Sequence, residues 1–268
     1  MSRWTTPEIL TALTALDEIA LPDEFIDIRT GEYRLVRYPA RLLSPTLPAA
    51  QVVWSNMVRS LDTVFAEVAA EIERWGLDAV HWWVSSATRP PDTEAYLRAR
   101  GGVLSGSYQI LARELGEDSM ESSPSAAIRV ELVRDERSLR DAMAIETQGW
   151  GRSLPAEDAI RHRLAETNNG LETATDFQFV AYVGDLPAST GHCKIQGELG
   201  RLYGAVTLPE FRSRGCYQAV LSSRLRQARA LGATIAVTRG RPLTSGRILV
   251  KAGFTVHGLE SCYRLSIG

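Results

Sequence analysis

The sequence repeats one pattern near the end of each half, and this repeat constrains the fold more than any other feature. In the first half, residues 93–101 begin with Thr, end with Gly and precede the apolar run 107–111. In the second half, residues 245–253 begin with Ser, end with Gly and precede the run 262–265. The glycines that end these segments lie 152 positions apart. Because Ser and Thr start helices and Gly ends them, each segment predicts a short helix followed by a strand.

A second match lies upstream of each of these segments. Apolar residues at helical spacing run up to Gly76 and to Gly232, and strands are predicted at 80–84 and 234–238. The spaced residues are Leu61, Val64, Phe65, Val68, Ile72 and Trp75 in the first half, and Tyr217, Leu221, Leu225 and Ala228 in the second. Two similar helix–strand units can arise by chance or by duplication, and we favour duplication.

The chain is long enough for one or two domains, since it has 268 residues. A break in composition falls at residues 116–125, which are acidic and rich in Ser, as is typical of an exposed linker. We therefore predict a first domain at residues 1–115, a linker at 116–125 and a second domain at 126–268.

Composition argues against several classes of protein. A net charge of −2 makes a nucleic-acid partner unlikely, since such proteins usually carry a basic excess. No apolar run approaches the ~20 residues of a membrane helix, and the first residues contain no apolar signal core. We therefore expect a cytoplasmic protein with no membrane partner. The cysteines Cys193, Cys216 and Cys262 are too few and too scattered for a disulfide framework or a zinc site, so no metal is expected.

The second half predicts a mixed α/β domain built around one sheet. Asp135 begins a helix that breaks at Gly149-Trp150-Gly151, and a second helix is expected from about Pro155 to Glu166. Strands are predicted at 128–132, 177–183, 188–195 and 202–207, with a hairpin turn at Gly184-Asp185. The predicted order is strand, two helices, three antiparallel strands, helix, strand, helix and strand.

The segment 206–220 offers the clearest binding chemistry. A strand ends, Pro209 interrupts it, and Arg212, Arg214 and Gly215 lead into an amphipathic helix. Free backbone N–H groups and the positive end of the helix dipole would meet two guanidinium groups there, which suits a phosphate or pyrophosphate. Gly215 would let an anion approach the backbone closely. The alternative is an ordinary loop with solvated arginines.

The run Arg212-Ser213-Arg214-Gly215-Cys216-Tyr217 resembles the acyl-CoA-binding motif of the GNAT superfamily of N-acetyltransferases, Gln/Arg-x-x-Gly-x-Gly/Ala. The resemblance extends over about residues 126–266, because the order of elements and the closing signal Ala252-Gly253-Phe254 also match. It implies an α/β fold with a mixed sheet, in two tandem GNAT-like copies. Tyr217 departs from the motif, which has Gly or Ala there. Its ring would either crowd the pyrophosphate or point into the core, and we favour the core.

The resemblance implies acetyl-CoA as a co-substrate, wedged between the strands 202–207 and 234–238. The implied contacts are Val206, Thr207, Leu208, Arg212, Ser213, Arg214, Gly215, Cys216, Tyr217 and, at the start of the closing helix, Ser245. Transfer in this superfamily is usually direct attack by an amine on the thioester. The protein must then orient two substrates, remove a proton and protonate the leaving thiolate.

Two residues are candidates for the general base. Glu146 follows the apolar stripe of its helix, where burial would raise its pKa, although the helix end could instead fray into solvent. His192, in a predicted strand, has a side chain suited to proton transfer, although a strand histidine is often structural. Trp150, at the helix break, would line the acceptor pocket or cap the edge of the core.

The general acid is harder to assign. Many members of the superfamily carry a tyrosine four residues before the glycine of the final helix, and Leu249 stands there in this chain. Tyr263 and Tyr203 are possible substitutes, of which we select Tyr263. Cys216, Cys262 and water are further alternatives.

The first half is predicted to be a degenerate copy without a phosphate loop. Residues 51–60, which precede its amphipathic helix, contain no glycine and only one arginine. Proteins of the superfamily with two tandem copies often pair one active copy with one that has lost its cofactor site.

We therefore predict an acyl-CoA-dependent N-acetyltransferase acting on a primary amine of a small molecule. One alternative is an acyl-CoA-binding sensor or scaffold without turnover, suggested by Tyr217 and by the missing helix tyrosine. A third hypothesis is an aminoacyl-tRNA-dependent transferase, against which the net charge argues.

Overall fold

The chain forms two compact units whose composition differs from the predicted halves. The computed structural model describes residues 4–17, 21, 23–40, 43, 48–116, 127–151, 154, 156–169 and 175–268. The first unit contains Leu10–Leu111 and Gly240–Gly268, and the second contains Met1–Ile9 and Ala112–Arg239. Of the predicted linker at 116–125, only Gly116 lies among the described residues.

The elements follow one another in nearly the predicted order. Those of the first half are α1 (Thr6–Asp17), β1 (Ile26–Arg29), β2 (Tyr33–Arg37), β3 (Ala50–Ser55), α2 (Leu61–Arg74), β4 (Ala79–Ser85), α3 (Thr93–Ala99) and β5 (Val103–Glu114). Those of the second half are β6 (Ile128–Leu132), α4 (Glu136–Trp150), α5 (Glu157–Asn169), β7 (Asp176–Val183), β8 (Leu186–Gln196), β9 (Leu199–Thr207), α6 (Cys216–Ala230), β10 (Ile235–Gly240), α7 (Ser245–Lys251) and β11 (Thr255–Ser266). The predicted strands and helices of the second half are all present.

The first unit is a mixed sheet packed against α2. Its strand order is β1-β2-β3-β4-β11-β5, in which β3 and β4 are parallel and β4 and β11 are antiparallel. The apolar stripe of α2, with Val64, Val68 and Ile72, is fully buried in a core that includes Trp82 and Leu265. The chain's last strand therefore completes the sheet of the first unit.

The second unit carries the predicted strand–loop–helix segment. Its strand order is β10-β9-β8-β7-β6, and the Leu115 amide donates to the Thr234 carbonyl over 2.9 Å. Strands β9 and β10 are parallel and the others antiparallel. The β9–β10 register ends at the pair Leu202 and Thr238. Strand β9 then continues to Thr207, so its last residues have no register partner on β10.

Helices α4 and α6 both pack on β8 and bring their side chains to it. Helix α4 begins with a capping box, in which the Asp135 carboxylate accepts a hydrogen bond from the Ser138 amide over 2.7 Å. It ends at Gly151, whose φ of 65° favours glycine. These caps fix the last turn of α4 and hence the position of Glu146.

The same order of elements occurs twice along the chain. A hairpin, a third strand, a helix, a parallel strand and a short helix form the series β1-β2-β3-α2-β4-α3 and β7-β8-β9-α6-β10-α7. In each series the parallel pair is formed by the strands before and after the long helix. A repeated topology is what a duplication would leave. The second series departs from the first in that α7 and β11 belong to the first unit.

Candidate functional site

Glu146 and His192, the two predicted bases, form a hydrogen-bonded pair in the second unit. Glu146 Oε1 lies 2.9 Å from His192 Nε2, and each residue is only 9% exposed. Glu146 comes from the last turn of α4 and His192 from the middle of β8. Helix α4 passes so close to β9 that a Cβ on Gly149 would overlap the side chain of Val206. The helix end is therefore buried rather than frayed.

Gln178 supports this pair from the neighbouring strand, where it stands directly opposite His192 in the β7–β8 register. Its amide nitrogen donates to Glu146 Oε1 over 2.8 Å and to Thr190 Oγ1 over 3.1 Å. Its amide oxygen accepts a hydrogen bond from Arg163 over 3.1 Å. Glu146 Oε1 therefore receives hydrogen bonds from two side chains that are themselves held in place.

These contacts decide which nitrogen of His192 is available for chemistry. When Glu146 is ionised it only accepts hydrogen bonds, so that Nε2, which faces it, carries the hydrogen. The other nitrogen, Nδ1, then has a lone pair and lies 4.0 Å from Asp176 Oδ1. His192 can accept a proton at Nδ1 while Glu146 stabilises the resulting imidazolium.

Tyr203 lies against one face of the His192 ring, since the two rings stack with centroids 4.9 Å apart. The Tyr203 hydroxyl donates to Asp176 Oδ2 over 2.5 Å. Burial, together with the negative charge of Asp176, raises the pKa of Tyr203. The hydroxyl is therefore a hydrogen-bond donor to Asp176 rather than a ready acid.

A bulge in β9 makes room for this group of side chains. The β8–β9 register shifts between Thr190 and His192, and Gly204 opposite this shift has a φ of 58°. A Cβ on Gly204 would lie 3.0 Å from His192 Cδ2 and 3.5 Å from Trp150 Cη2. Trp150, which was predicted to line an acceptor pocket, therefore approaches the same glycine of the bulge as His192 does.

The predicted phosphate loop leads from β9 into α6. After Thr207, a 3-10 turn at Pro209–Phe211 precedes the segment Arg212–Gly215, here called the Arg–Gly loop. Ser213 and Gly215 have positive φ values of 62° and 88°. Helix α6 begins at Cys216 with no side-chain cap. Its first amides are therefore open to an anion, and the side chains of Arg212 and Arg214 beside them are exposed.

The backbone of Leu208, a predicted cofactor contact, already has partners. Its amide donates to the Ala188 carbonyl over 3.0 Å and its carbonyl accepts from the Phe211 amide over 3.0 Å. The Val206 carbonyl accepts from Ser189 Oγ over 3.0 Å, and that hydroxyl lies 2.8 Å from Thr207 Oγ1. Both backbone groups of Leu208 therefore have hydrogen-bond partners within the protein, and its pairing with a ligand stays a prediction.

Helix α6 also carries Arg224, which the sequence analysis did not identify. Arg224 is 1% exposed, and its Nη1 donates to the His192 carbonyl over a long 3.4 Å. Its Nε and Nη2 atoms have no hydrogen-bond partner among the described residues. Its guanidinium lies 5.9 Å from the ring centroid of Tyr217, which is half-buried rather than a core residue.

Tyr263 and Ser245 belong to the first unit, whereas Glu146 and His192 belong to the second. The Tyr263 hydroxyl donates to Glu94 over 2.6 Å and accepts from Arg98. Ser245 Oγ accepts a hydrogen bond from the Arg241 amide over 2.9 Å at the start of α7. Tyr263 is therefore a structural residue of the first unit.

In the first unit, the segment before α2 corresponds in the order of elements to the Arg–Gly loop, and it binds a carboxylate of the chain itself. Before α2, the amides of Val58 and Arg59 both donate to Glu32 Oε1 over 2.7 Å. The Arg59 guanidinium bonds to Glu32 as well as to Glu67. These hydrogen bonds lower the pKa of Glu32 to about 2. Val58 to Ser60, here called the Glu32 loop, is thus filled from within.

The three cysteines are free and buried, and burial raises the pKa of Cys193 to about 12. Within the described ranges, no cluster of three or more His, Cys, Asp or Glu side chains could hold a metal ion. No helix in the described part of the chain is long and apolar enough to span a membrane.

Solved structures show the same fold over nearly the whole chain. A tandem GNAT protein from the clavulanic acid biosynthesis pathway covers 92% of this chain and 85% of its own, with 14% identity and a TM-score of 0.63. A GCN5-related N-acetyltransferase from Kribbella flavida covers 97% and 94%, with 15% identity and a TM-score of 0.68. Neither a protein-family model nor a curated protein matches the chain. The chain therefore has a mixed α/β fold of the tandem GNAT type.

Proposed function

We propose that the protein is an N-acetyltransferase that moves an acetyl group from acetyl-CoA to a primary amine of a small molecule. The buried Glu146–His192 pair carries this proposal, because it lies beside the bulge of the strand that leads into the Arg–Gly loop. A base beside the strand that leads into an anion-binding loop suits direct acyl transfer from a CoA thioester. A cytoplasmic location is part of the same proposal.

The Arg–Gly loop is the proposed site of the coenzyme's pyrophosphate. It offers the first amides of α6 and the guanidinium groups of Arg212 and Arg214, and Gly215 has no side chain that would block an anion. A Cβ on Gly215 would contact only Ile128, at 3.5 Å, so the loop is open on its outer side. The part of β9 beyond Leu202 has no register partner on β10 and is the proposed edge for the pantetheine.

In the proposed reaction, His192 Nδ1 takes a proton from the acceptor nitrogen, whose freed lone pair then attacks the thioester carbon. The C–N bond forms, the C–S bond breaks, and the ionised Glu146 stabilises the imidazolium. The nitrogen loses its second proton to solvent, and the thiolate takes its proton from solvent in this scheme. Tyr263 belongs to the first unit, and the Tyr203 hydroxyl is held by Asp176.

The first test is substitution of the pair. We expect Glu146→Gln and His192→Gln each to lower kcat by about 100-fold while the affinity for acetyl-CoA, measured by calorimetry, stays unchanged. Glu136→Gln, an exposed change at the start of the same helix, is the matched control and should keep full activity. Full activity in both pair variants, or no saturable binding of acetyl-CoA by the unaltered protein, would overturn the proposal.

A second candidate function is an acyl-CoA-binding protein without turnover. It is favoured by Tyr217, whose half-buried ring stands at the start of α6 where the motif has Gly or Ala. Release of free thiol from acetyl-CoA in the presence of a panel of primary amines separates the two functions. Sustained release that depends on the amine supports the transferase, whereas binding with no release supports the second candidate.

A further inference from the structure

The acceptor end of the site contains two hydrogen-bond acceptors that face each other across a short gap. Asp176 Oδ1 lies 4.0 Å from His192 Nδ1, too far for a direct hydrogen bond. The other oxygen of Asp176, Oδ2, accepts the hydrogen bond from the Tyr203 hydroxyl. That bond holds the carboxylate in place, and no residue that the structure describes donates to Oδ1.

We propose that Asp176 Oδ1 and His192 Nδ1 together bind the ammonium group of the acceptor. This inference rests on the function proposed above and specifies its substrate as an amine that is protonated in solution. An ammonium nitrogen about 2.8 Å from each atom would bridge a 4.0 Å gap, because it has several N–H donors at wide angles to one another. A hydroxyl has a single hydrogen and cannot donate to both atoms.

The surrounding side chains suit a cation locally. The Tyr203 ring stacks on His192 and its hydroxyl bonds to Asp176, so an aromatic surface lies beside the gap. Two guanidinium groups, those of Arg163 and Arg201, are also near. Arg163 donates to the Gln178 amide oxygen, and the Arg201 guanidinium lies 6.0 Å from the centroid of the Tyr203 ring. Asp176 therefore supplies the negative charge that selects the ammonium group.

The same arrangement gives the proton a short route. One N–H of the bound ammonium points at His192 Nδ1, so its proton passes to the imidazole and leaves a neutral amine with a free lone pair. Asp176 keeps the nitrogen in place through a second N–H. The neutral amine then attacks the thioester carbon and loses its second proton to solvent, while the first proton remains on the imidazolium beside Glu146. Asp176 acts as an acceptor-binding residue.

Binding can be measured without turnover. The protein has four histidines, so in protein labelled at histidine with carbon-13 the His192 ring signal can be assigned by its loss in His192→Gln. We expect tryptamine, at millimolar concentration and without acetyl-CoA, to shift this signal saturably. Tryptophol has a hydroxyl in place of the amine, and we expect it to bind at least about tenfold more weakly.

The decisive variant is Asp176→Asn, which keeps the size of the side chain and an acceptor for Tyr203 but removes the charge. We expect its dissociation constant for tryptamine to rise at least about tenfold and that for tryptophol to stay unchanged. Asp185→Asn, in the exposed β7–β8 turn, is the matched control and should bind tryptamine like the unaltered protein.

The results separate this inference from the proposed function. Equal tryptamine affinity in Asp176→Asn and the unaltered protein, or no shift of the His192 signal by tryptamine, would overturn the inference even if acetyl-CoA binds normally. Conversely, Asp176-dependent binding of tryptamine with no saturable binding of acetyl-CoA would overturn the transferase and leave the ammonium site standing.

Discussion

At the scale of single residues, the buried Glu146 is stable only because of its donors. Removing an ionised carboxylate from water costs several kcal/mol unless hydrogen bonds replace the lost solvent. His192 and Gln178 both donate to its Oε1, and Gln178 is in turn fixed by Thr190 and Arg163. The arrangement therefore holds His192 in one orientation and one tautomer, which a general base needs.

Arg224 is the opposite case, a buried cation with few partners. Among the residues that the structure describes, only its Nη1 finds an acceptor, and at 3.4 Å that hydrogen bond is weak. Its pKa is lowered by burial, against the opposing effect of the nearby Tyr217 and Cys193. Such a residue costs folding stability, since its desolvation is not repaid by hydrogen bonds.

We therefore predict that Arg224→Met increases the free energy of unfolding by about 1–3 kcal/mol, because Met fills similar space without a buried charge. Urea unfolding at neutral pH measures the change. Arg226 is exposed on the same helix, so Arg226→Met is the control and should change the free energy of unfolding by less than about 0.5 kcal/mol. A destabilised Arg224→Met would show that the guanidinium has a favourable partner after all.

Sequence patterns could find Glu146 and His192 separately but not the residues that join them. Glu146 stands out on an apolar stripe, and His192 stands out as a titratable group inside a strand. Gln178 and Asp176 have no such signature, because their roles depend on the β7–β8 register. Counting back from the predicted turn at Gly184-Asp185 would have placed Gln178 near His192, although the register shift in this hairpin makes such a count uncertain by one residue.

At the scale of elements, the segments before α2 and α6 occupy the same place in the repeated topology but differ in chemistry. The Arg–Gly loop has two arginines and Gly215 and begins its helix without a side-chain cap. The Glu32 loop has its helix capped by Ser60, and its amides are taken by the Glu32 carboxylate. A negative group of the chain thus stands in the first unit where we propose a phosphate in the second.

The low pKa of Glu32 predicts a pH-dependent contribution to stability. Folding lowers this pKa from its usual range to about 2. The ionised carboxylate therefore stabilises the folded protein above the unfolded pKa, and this stabilisation is lost as the pH falls through about 2. We expect Glu32→Gln to unfold at lower urea than the unaltered protein at pH 6, with the difference shrinking at pH 3. Glu73→Gln, exposed on α2, should show no such pH-dependent difference.

Gly215 provides the matching test of the Arg–Gly loop. Gly215→Val should lower the affinity for acetyl-CoA at least tenfold, because a β-branched residue is strained at a φ of 88° and adds atoms where the anion would approach. Gly232→Val, at a φ of 89° after the other end of α6, imposes the same strain and is the control. Similar losses of affinity in both variants would show that Gly215 acts through stability alone.

At the scale of the whole molecule, the units are not consecutive pieces of chain. Residues 240–268 supply α7 and β11 to the first unit, where β11 places Tyr263 opposite Trp82 and Leu265 opposite Val80. All four of these side chains are almost fully buried. The sheet of the first unit therefore needs both ends of the sequence.

We predict that the segments 1–115 and 126–268, produced separately, do not unfold cooperatively. The first lacks β11, and the second keeps β11 without β4 to pair with it. Thermal unfolding followed by circular dichroism would test each segment. The two segments produced together in one cell are the control and should assemble and unfold cooperatively. A sharp transition in either segment alone would contradict the prediction.

The sequence alone was sufficient for the elements and for the repeat, because helix caps, spacing and turns are local signals. The destination of the last strand was not predictable in the same way. The run 262–265 is apolar and would suit either sheet, and only the pairing of β11 with β4 assigns it to the first unit. Boundaries drawn in the acidic segment at 116–125 therefore cannot describe the units.

Because β11 belongs to the first unit, its place in the chain limits which deletions in the gene can persist. A deletion that removed the coding region for residues 10–111 would leave β11 with its buried Tyr263 and Leu265 exposed to water and prone to aggregation. Natural selection for the chemistry of the second unit would therefore also preserve the first unit, even though the Glu32 carboxylate occupies the amides of the Glu32 loop. Mutations would accumulate in that closed loop faster than along the strands that receive β11, and natural variation of the gene would show this difference.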